Sequence, residues 1–567
     1  MKFNKTLFVG LNASFSHTAL ALYSLVRMPL ETEAVVWEFT INENRDSVFR
    51  AIIEENADLV AFSCYIWNID IVLTLARRIK AARPQTAILL GGPEVSYDAG
   101  QWIKRHAEID LILSGEGEES LPLLFTGPEE NVPGLWYREE GNVKVSDKPL
   151  DPVNLSSLPP VYRNFSFQDH KMYYYEASRG CPYRCSFCLS SNEPVRTVPM
   201  QQVKEELHAL LKAKVMIVKF VDRTMNADPA RFHEILRFIS EEDNGITRFH
   251  MEIHPTALRD ASIQQIQGLR KGLVQFEIGV QSTHEPTCQA IRRVGDTTRI
   301  GEVVARLRTA GNVHLHLDLI AGLPYEDMRA FASSFEHVMD MQPHMLQLGF
   351  LKLLRGSDLR KQAEQYGIRF PDDAPYEVVA TKWMSPEDLF FLKDVESLVD
   401  HLYNTSCVQK TLLYFRYRTG SWWELFSALA RFARENGYLQ TSRKQTERYD
   451  LCLAFGRRIG SDETILQDLL RYDMLMQTWK WPASVPIRFD NWTAERFLSK
   501  EVQQVLAEIG RTDPKNGLRK TQGQHFQYDI HAYFGDGTPC KREHRLLFLY
   551  KEETSVHRIG KGMEWNI

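Results

Sequence analysis

Three cysteines stand close together in the stretch Arg179-Gly180-Cys181-Pro182-Tyr183-Arg184-Cys185-Ser186-Phe187-Cys188, at i, i+4 and i+7. Gly180 and Pro182 break regular structure, so the chain there can wrap round a compact object. A structural zinc site closes a tetrahedron with four ligands, commonly from two Cys-x-x-Cys halves. Here the local count stops at three. A cubane iron–sulfur cluster takes a thiolate on each of its four irons, so three cysteines leave one iron open to a small molecule. A truncated zinc knuckle and three unrelated thiols are the plainer readings of the same residues.

With Phe187 at the aromatic position, the spacing resembles the radical S-adenosylmethionine (SAM) signature, C-x3-C-x-aromatic-C. The resemblance implies a 4Fe–4S cluster on Cys181, Cys185 and Cys188, with the fourth iron chelated by the amino and carboxylate groups of SAM. It implies that Phe187 touches the adenine and that the backbone from Tyr183 to Cys185 supports the cluster. Glu277-Ile278-Gly279-Val280-Gln281-Ser282 resembles the family's fourth-strand motif, which puts Glu277, Gly279, Gln281 and Ser282 near the ribose and methionine parts of SAM. Ile320-Ala321-Gly322-Leu323-Pro324 resembles the fifth-strand adenine contact and adds Leu323 and Pro324. The family's Gly-Gly-Glu after strand two is missing, and Phe220-Val221-Asp222-Arg223 stands there instead. Asp222 either substitutes in holding the SAM amino group or makes a local salt bridge.

His314 and His316 alternate on one strand. Two residues cannot complete a metal site, so they read as polar groups facing a barrel interior. Asp318 shares their face and is placed to hydrogen-bond SAM. A cation near the sixth strand, Lys352 or Arg355, is expected to pair with a carboxylate.

These residues need a frame. Between 146 and 370 apolar strands alternate with helical stretches. Strands are expected at 173–178, 217–221, 249–253, 275–280, 313–320 and 345–351, with helices at 201–213, 229–241, 261–271, 297–310 and 329–341. Six βα units match the partial (β/α)6 barrel of radical SAM enzymes, and such barrels carry their chemistry at the carboxyl edge. Residues 148–163, rich in proline and serine, read as a linker into this domain.

Residues 1–145 repeat the alternation, with strands at 6–11, 33–41, 59–64, 86–90 and 111–114 and helices at 18–28, 45–56 and 69–82. That pattern gives a parallel, doubly wound, Rossmann-like sheet, which binds ligands at the carboxyl ends of its strands. Those ends carry Ser14 and His17, then Ser63, Tyr65 and Trp67, then Gly91-Gly92-Pro93-Glu94, then Gly115-Glu116-Gly117-Glu118. Paired glycines let a bulky ligand approach the backbone. The GGPE and GEGE loops ahead of the cysteine motif look like the cobalamin-binding domain of class B radical SAM proteins. The Asp-x-His-x-x-Gly loop that ligates cobalt in other cobalamin enzymes is absent, so His17 reads as a polar or packing contact. Tyr65 and Trp67 are placed to cover the lower face of the corrin, where a large aromatic excludes water. An ordinary core role for Trp67 is the competing reading.

From 371 to 567 the pattern turns helical, with amphipathic stretches at 389–402 and 422–436, a break at 482–488 and a helix resuming at 494–509. Strands at 525–534 and 544–550 close the chain about a Gly535-Asp536-Gly537 turn. The whole layout resembles cobalamin-binding radical SAM proteins whose C-terminal domain has no assigned function. Tyr414-Phe415-Arg416-Tyr417-Arg418 interleaves aromatics and arginines. It suits RNA stacking, or simply an amphipathic helix with a solvated basic face, which is the commoner use.

Composition is that of a soluble globular protein: 44% hydrophobic, 25% charged, net charge −5 over 567 residues. Residues 401–567 carry 25 Lys+Arg against 19 Asp+Glu, a mild basic bias that permits a nucleic-acid partner without requiring one. Eight cysteines make no disulfide scaffold. There is no secretory pattern at the first residues and no run long enough to span a membrane, so the chain reads as cytoplasmic; separately, a monomer is expected.

The resemblance implies a cobalamin-dependent radical SAM methyltransferase. A 5′-deoxyadenosyl radical removes a hydrogen atom from an unactivated carbon, which then receives a methyl group from cobalamin. The substrate is a small molecule or a tRNA nucleoside, and the electron donor a flavodoxin or ferredoxin. Three alternatives share parts of this reading: a cyclase, oxidase or rearrangement enzyme using both cofactors, an RNA-modifying enzyme, and a non-catalytic cobalamin or redox sensor. Alanine at Cys181, Cys185 and Cys188 is expected to abolish iron binding after anaerobic reconstitution. Zinc held at these thiols in anaerobically purified protein would instead establish the zinc reading.

Overall fold

The computed structural model describes residues 3–293, 295–439, 446–478, 485–489, 503–504, 521–530, 540–550 and 554–559. The contacts divide the chain into two compact units. One comprises residues 1–328 and 349–386, the other 329–348 and 387–567. The first unit therefore holds both the 1–145 segment and most of the 146–370 segment.

Its first sheet is built from β1 (Lys5–Asn12), β2 (Glu33–Thr40), β3 (Leu59–Ser63), β4 (Ala87–Gly91), β5 (Leu111–Leu113), β6 (Leu135–Glu139) and β7 (Asn142–Val145), in the order β2-β1-β3-β4-β5-β6-β7. The first five strands are parallel. Their order, 2-1-3-4-5, reverses direction between β1 and β3, which opens the ligand crevice of a doubly wound sheet there. Near-continuous apolar strands such as Leu59–Ser63, buried along their whole length, show why helices cover both faces. Ile69–Ala82 is one such helix and buries Ile69, Val72, Leu73, Leu75, Ala76 and Ile79. The hairpin β6–β7 is antiparallel and was not foreseen. Its turn at Glu140-Gly141, both at positive φ, sits in a polar stretch that carries no apolar period.

The second sheet is built from β8 (Met172–Tyr175), β9 (Ile217–Phe220), β10 (Arg248–Glu252), β11 (Val274–Gln281) and β12 (His314–Ala321), ordered sequentially from β8 to β12, and the expected sixth strand is β13 (Met345–Phe350). β8 to β12 pair in parallel. Helices Met200–Lys212, Pro229–Glu241, Asp260–Gln267 and Thr297–Ala310 alternate with them, as the partial-barrel expectation requires. Capping sets the helix starts: Asp228 accepts from the backbone of Ala230 and Arg231, and Asp296 from Thr298 and Arg299. Alternation along β11 is strict. Phe276, Ile278 and Val280 are buried, while Glu277, Gly279 and Gln281 take the other face.

In the second unit, helices run at Pro386–Leu398, Gln409–Thr419, Trp422–Glu435, Glu447–Arg458 and Glu463–Gln477. A π turn at Val399–Tyr403 extends the first of them. The expected closing strand pair is a three-stranded antiparallel sheet, β14 (Thr521–Tyr528), β15 (Lys541–Tyr550) and β16 (Thr554–Ile559). The third strand follows too closely on an apolar run to stand out by pattern. The expected turn at 535–537 lies outside the described residues, as does nearly all of the expected helix at 494–509.

On helix Gln409–Thr419, Tyr414 and Phe415 are buried. Arg416 pairs with Asp340 at 2.8 Å and Arg418 donates to the Gly460 carbonyl at 3.2 Å. Both arginines are thus engaged within the unit, as an amphipathic helix needs. No helix among the described residues is long and apolar enough to cross a membrane.

Gly92 follows β4 at φ +108°, and a Cβ there would stand 2.6 Å from the Cys64 carbonyl oxygen. Gly92→Ala is expected to cost about 1–3 kcal/mol of stability through backbone strain. A lowered denaturation midpoint checks this, and an unchanged one refutes it.

Candidate functional site

The cysteine loop leaves β8 and is pinned at several points. Ser186 N–H donates to the Ile291 carbonyl at 2.9 Å, and Leu359 N–H to the Ser186 carbonyl at 2.8 Å. Cys181 N–H reaches the Glu193 carbonyl at 3.2 Å. Gly180 takes φ +88°, where a Cβ would lie 2.3 Å from the Pro194 carbonyl oxygen, so only glycine lets the two backbones pass this closely. All three thiols are free, with Cys185 buried and Cys181 and Cys188 half-buried. Burial pushes the Cys188 thiol up. Around the thiols stand Thr224 Oγ1, 3.4 Å from Cys181 Sγ, and Arg293 Nη1, 3.7 Å from Cys185 Sγ. Three uncrosslinked thiols in one strapped loop, with a guanidinium beside them, fit a thiolate-ligated cluster.

Arg179, two residues before the first cysteine, joins this loop to the first sheet. Its guanidinium pairs with Glu176 at 2.9 Å, with Glu116 at 3.2 Å and with Glu118. Arg196 reinforces it from the neighbouring strand with a 2.6 Å contact to Glu116. A two-residue ladder, Ser178–Arg179 against Arg196–Thr197, holds both arginines in register. Burial works against the charge on Glu116, but Arg196, the Val153 amide and Arg179 outweigh it and lower its pKa. Glu176 goes the other way: burial raises it to about 7 against the pull of Arg179.

Glu94 shows the same habit. It is buried against Tyr376 and lies 3.6 Å from Arg355, which reaches Asp98 at 2.9 Å. Arg355 thus meets the expected carboxylates, and both come from the first sheet's side.

At the carboxyl edge of the first sheet lies a largely apolar cavity of about 200 Å³. Phe8, Ala61, Ser63, Tyr65, Gly91, Gly92, Gly115, Glu116 and Arg179 are among the residues that line it. Tyr65 and Trp67 stack at 4.4 Å, nearly parallel at 6°. Trp67 is 45% exposed, so it is not a core residue, and its indole N–H donates to the Leu11 carbonyl at 3.2 Å. The pair offers a flat aromatic surface beside an apolar slot, which fits a large planar ring system with a smaller aromatic appendage, as cobalamin has. Pro93 opens a short helix next to Gly92. Ser14 hydrogen-bonds Ser16 at 3.0 Å. His17 Nδ1 bonds the Tyr174 hydroxyl at 2.7 Å, a polar contact that ties the loop after β1 to β8.

On the barrel side, Tyr183 stacks on His254 at 4.1 Å. Burial and the Arg293 cation hold His254 down to about 4. Phe187 is half-buried within the loop. Asp222 accepts from Ala177 N–H at 2.9 Å and from Ser178 Oγ at 2.5 Å. Its carboxylate is therefore spent on the end of β8, and burial raises its pKa to about 6. Gln281, at φ +71° on a β-bulge, buries Oε1 without a hydrogen-bond partner. An orphaned amide oxygen beside Gly279 calls for a polar ligand. Ser282 bonds Glu326, and the Pro324 carbonyl accepts from Thr287 at 2.9 Å. Leu323 and Pro324 are buried. Asp318 Oδ1 lies 3.1 Å from His316 Nε2.

Sequence reasoning missed Lys219, His250 and Arg293. The available signal was a charge at alternate positions of otherwise apolar buried strands, as in Ile217-Val218-Lys219-Phe220 and Phe249-His250-Met251-Glu252.

Family models match three consecutive stretches: a B12 binding domain at 8–125, the radical SAM superfamily at 175–338, and a protein of unknown function, DUF4080, at 364–548. This is a cobalamin-binding radical SAM protein. It is 24% identical over 340 residues to the cobalamin-dependent radical SAM methyltransferase TokK of Streptomyces tokunonensis, covering 55% of this chain and 50% of TokK. It is also 24% identical to the 2-(S-pantetheinyl)-carbapenam-3-carboxylate methyltransferase of Streptantibioticus cattleyicolor, over 51% of this chain and 45% of that one. The chain spans about half the length of these curated relatives.

Among solved structures, the radical SAM enzyme OxsB with aqua-cobalamin and SAM bound superposes with a TM-score of 0.56 at 13% identity, covering 83% of this chain and 78% of OxsB. TsrM from Kitasatospora setae gives 0.54 at 17% identity, covering 65% of this chain and 77% of TsrM. At these identities the superpositions establish the fold of this class B radical SAM chain.

The raised pKa of Glu176 has a signed consequence. Between about 4.5 and 7 the folded chain keeps a proton that the unfolded chain has released, so this residue's contribution to stability falls as pH rises through that window. Glu176→Gln removes the dependence. The variant is expected to gain on the parent by roughly 1–3 kcal/mol between pH 5 and pH 8. Denaturation midpoints at both pH values measure this, and a pH-independent difference refutes it.

Proposed function

We propose that this chain is a cobalamin-dependent radical SAM enzyme that methylates an unactivated carbon of a small-molecule substrate. The observation that carries the reading is the Arg179 junction. It bonds the residue next to the cysteine triad to Glu116 and Glu118, which line the cavity of the B12-binding sheet. A radical source and a methyl source on one rigid junction suit a transfer that has to exclude water.

Cys181, Cys185 and Cys188 are the ligands we assign to a 4Fe–4S cluster. Phe187, Gly279, Gln281, Leu323 and Pro324 are assigned to SAM, with Tyr183 fixed behind the loop by His254. Glu277, one pleat further from the carboxyl edge, is engaged by His250 and Lys219. Ser63, Tyr65, Trp67, Gly91, Gly92 and Gly115 are assigned to cobalamin. When bound, SAM on the reduced cluster supplies a carbon-centred radical and cobalamin supplies the methyl group. The chain's part is to hold both, to leave no bulk water at the junction, and to keep His254 neutral near the cluster. TokK, a cobalamin-dependent radical SAM methyltransferase by name, supports the choice of methyl transfer. A cytoplasmic setting and a flavodoxin or ferredoxin as electron donor accompany the proposal.

The test is anaerobic reconstitution with iron, sulfide and cobalamin, then reaction with SAM carrying a deuterated methyl group. Metabolite extract from a strain lacking the gene supplies the substrate. 5′-Deoxyadenosine and a product heavier by about 17 Da, against about 14 Da with ordinary SAM, are expected. Cys185→Ala should lower both by roughly a thousandfold or more. Deoxyadenosine without a gain in mass would move the reading to a cyclase or rearrangement enzyme. No deoxyadenosine at all would end it.

A further inference from the structure

Inside the second sheet lies a group of ligating side chains that neither the cysteine loop nor the cobalamin cavity uses. His250 on β10, Glu277 on β11 and His316 on β12 come from three adjacent strands. Each places a ligand atom within 4.8 Å of the other two. Glu277 and His316 are direct register partners. His250 Nε2 lies 2.8 Å from Glu277 Oε2.

His316 is the telling member. It is only 5% exposed, yet neither of its ring nitrogens has a hydrogen-bond partner. Nε2 approaches Asp318 Oδ1 at 3.1 Å without hydrogen-bond geometry, and that oxygen is itself unsatisfied. Two idle nitrogens on a buried imidazole are costly unless something polar sits against them. Lys219, 3.3 Å from Glu277 Oε2, is the competitor for that carboxylate. Its contact and that of His250 both fall on Oε2.

We propose that His250, Glu277 and His316 bind a divalent transition-metal ion, Zn²⁺ or Fe²⁺ in type, distinct from the cluster on the cysteine triad. Two imidazoles and one carboxylate are the donor set that these ions accept while keeping coordination positions open. The ion takes the place of the Lys219 ammonium at Glu277, and the idle His316 nitrogen becomes a ligand. An oxygen or nitrogen donor on the substrate then completes the shell. That last clause alone rests on the enzymatic reading above.

The full-length chain with Cys181→Ser, Cys185→Ser and Cys188→Ser lacks the cluster ligands. It is stripped with chelator, loaded with Zn²⁺, desalted, and its metal counted by mass spectrometry. About one zinc per chain is expected, and His250→Gln or His316→Gln should weaken binding at least tenfold, on the order seen for lost metal-site partners. The wild-type, cluster-loaded chain should show the same zinc beside its iron. Co²⁺ in place of Zn²⁺ should give intense visible bands, which does not depend on turnover. No retained zinc, or zinc retained equally by both histidine variants, overturns the proposal. If those variants fail to fold by circular dichroism, the Co²⁺ spectrum of the histidine-intact chain decides: bands of a nitrogen-ligated ion support the site, and those of the aquo ion overturn it. Failure of methyl transfer would leave each of these readouts standing.

Discussion

A single guanidinium holds the chemistry in register. Arg179 sits within the 15% exposure range of a half-buried group and meets three carboxylates from two different sheets. Removing one partner from a buried ion pair leaves an uncompensated charge and costs about 3–5 kcal/mol. Such a network adds little net stability. It fixes where the cysteine loop leaves β8 relative to the loop after β5. Arg355 repeats the device on the other side, binding Asp98 and Glu94. The two acidic loop ends that read as ligand contacts are, in the fold, at least as much the anchors of the second sheet.

The parallel sheets explain why polar side chains can gather in the interior at all. A strand buried on its helical face by Phe276, Ile278 and Val280 leaves Glu277, Gly279 and Gln281 on the other. Lys219, His250 and His316 do the same on neighbouring strands. Charges that would be prohibitive alone support one another there: Glu277 stays ionised because Lys219 and His250 face it. Where no partner is supplied, atoms are left over, as at Gln281 Oε1 and both His316 nitrogens. Such leftovers mark where a ligand belongs.

Most of the architecture was legible in advance. The short apolar runs between helical stretches located nearly every parallel strand to within a residue or two, and Ile69–Ala82, Pro229–Glu241 and Thr297–Ala310 coincide with the expected helices. The hairpin β6–β7 and the strand β16 escaped because their sequences are short, polar or without clear alternation. At the site, the cysteine loop could be read from spacing because its ligands are local. Asp222 could not. Its residue type suited either ligand binding or a local contact, and only the fold shows it turned to Ala177 and Ser178. Trp67 likewise had two readings until its exposure was known.

By itself the sequence determined the elements and the thiol triad, because both depend on contacts within about ten residues: hydrogen-bonded period, capping and loop geometry. Only the tertiary structure decided which charges meet. Arg179 and Glu116 are 63 residues apart, and His250, Glu277 and His316 lie on separate strands. Their partnership is set by strand order and register, and side-chain type carries no record of either.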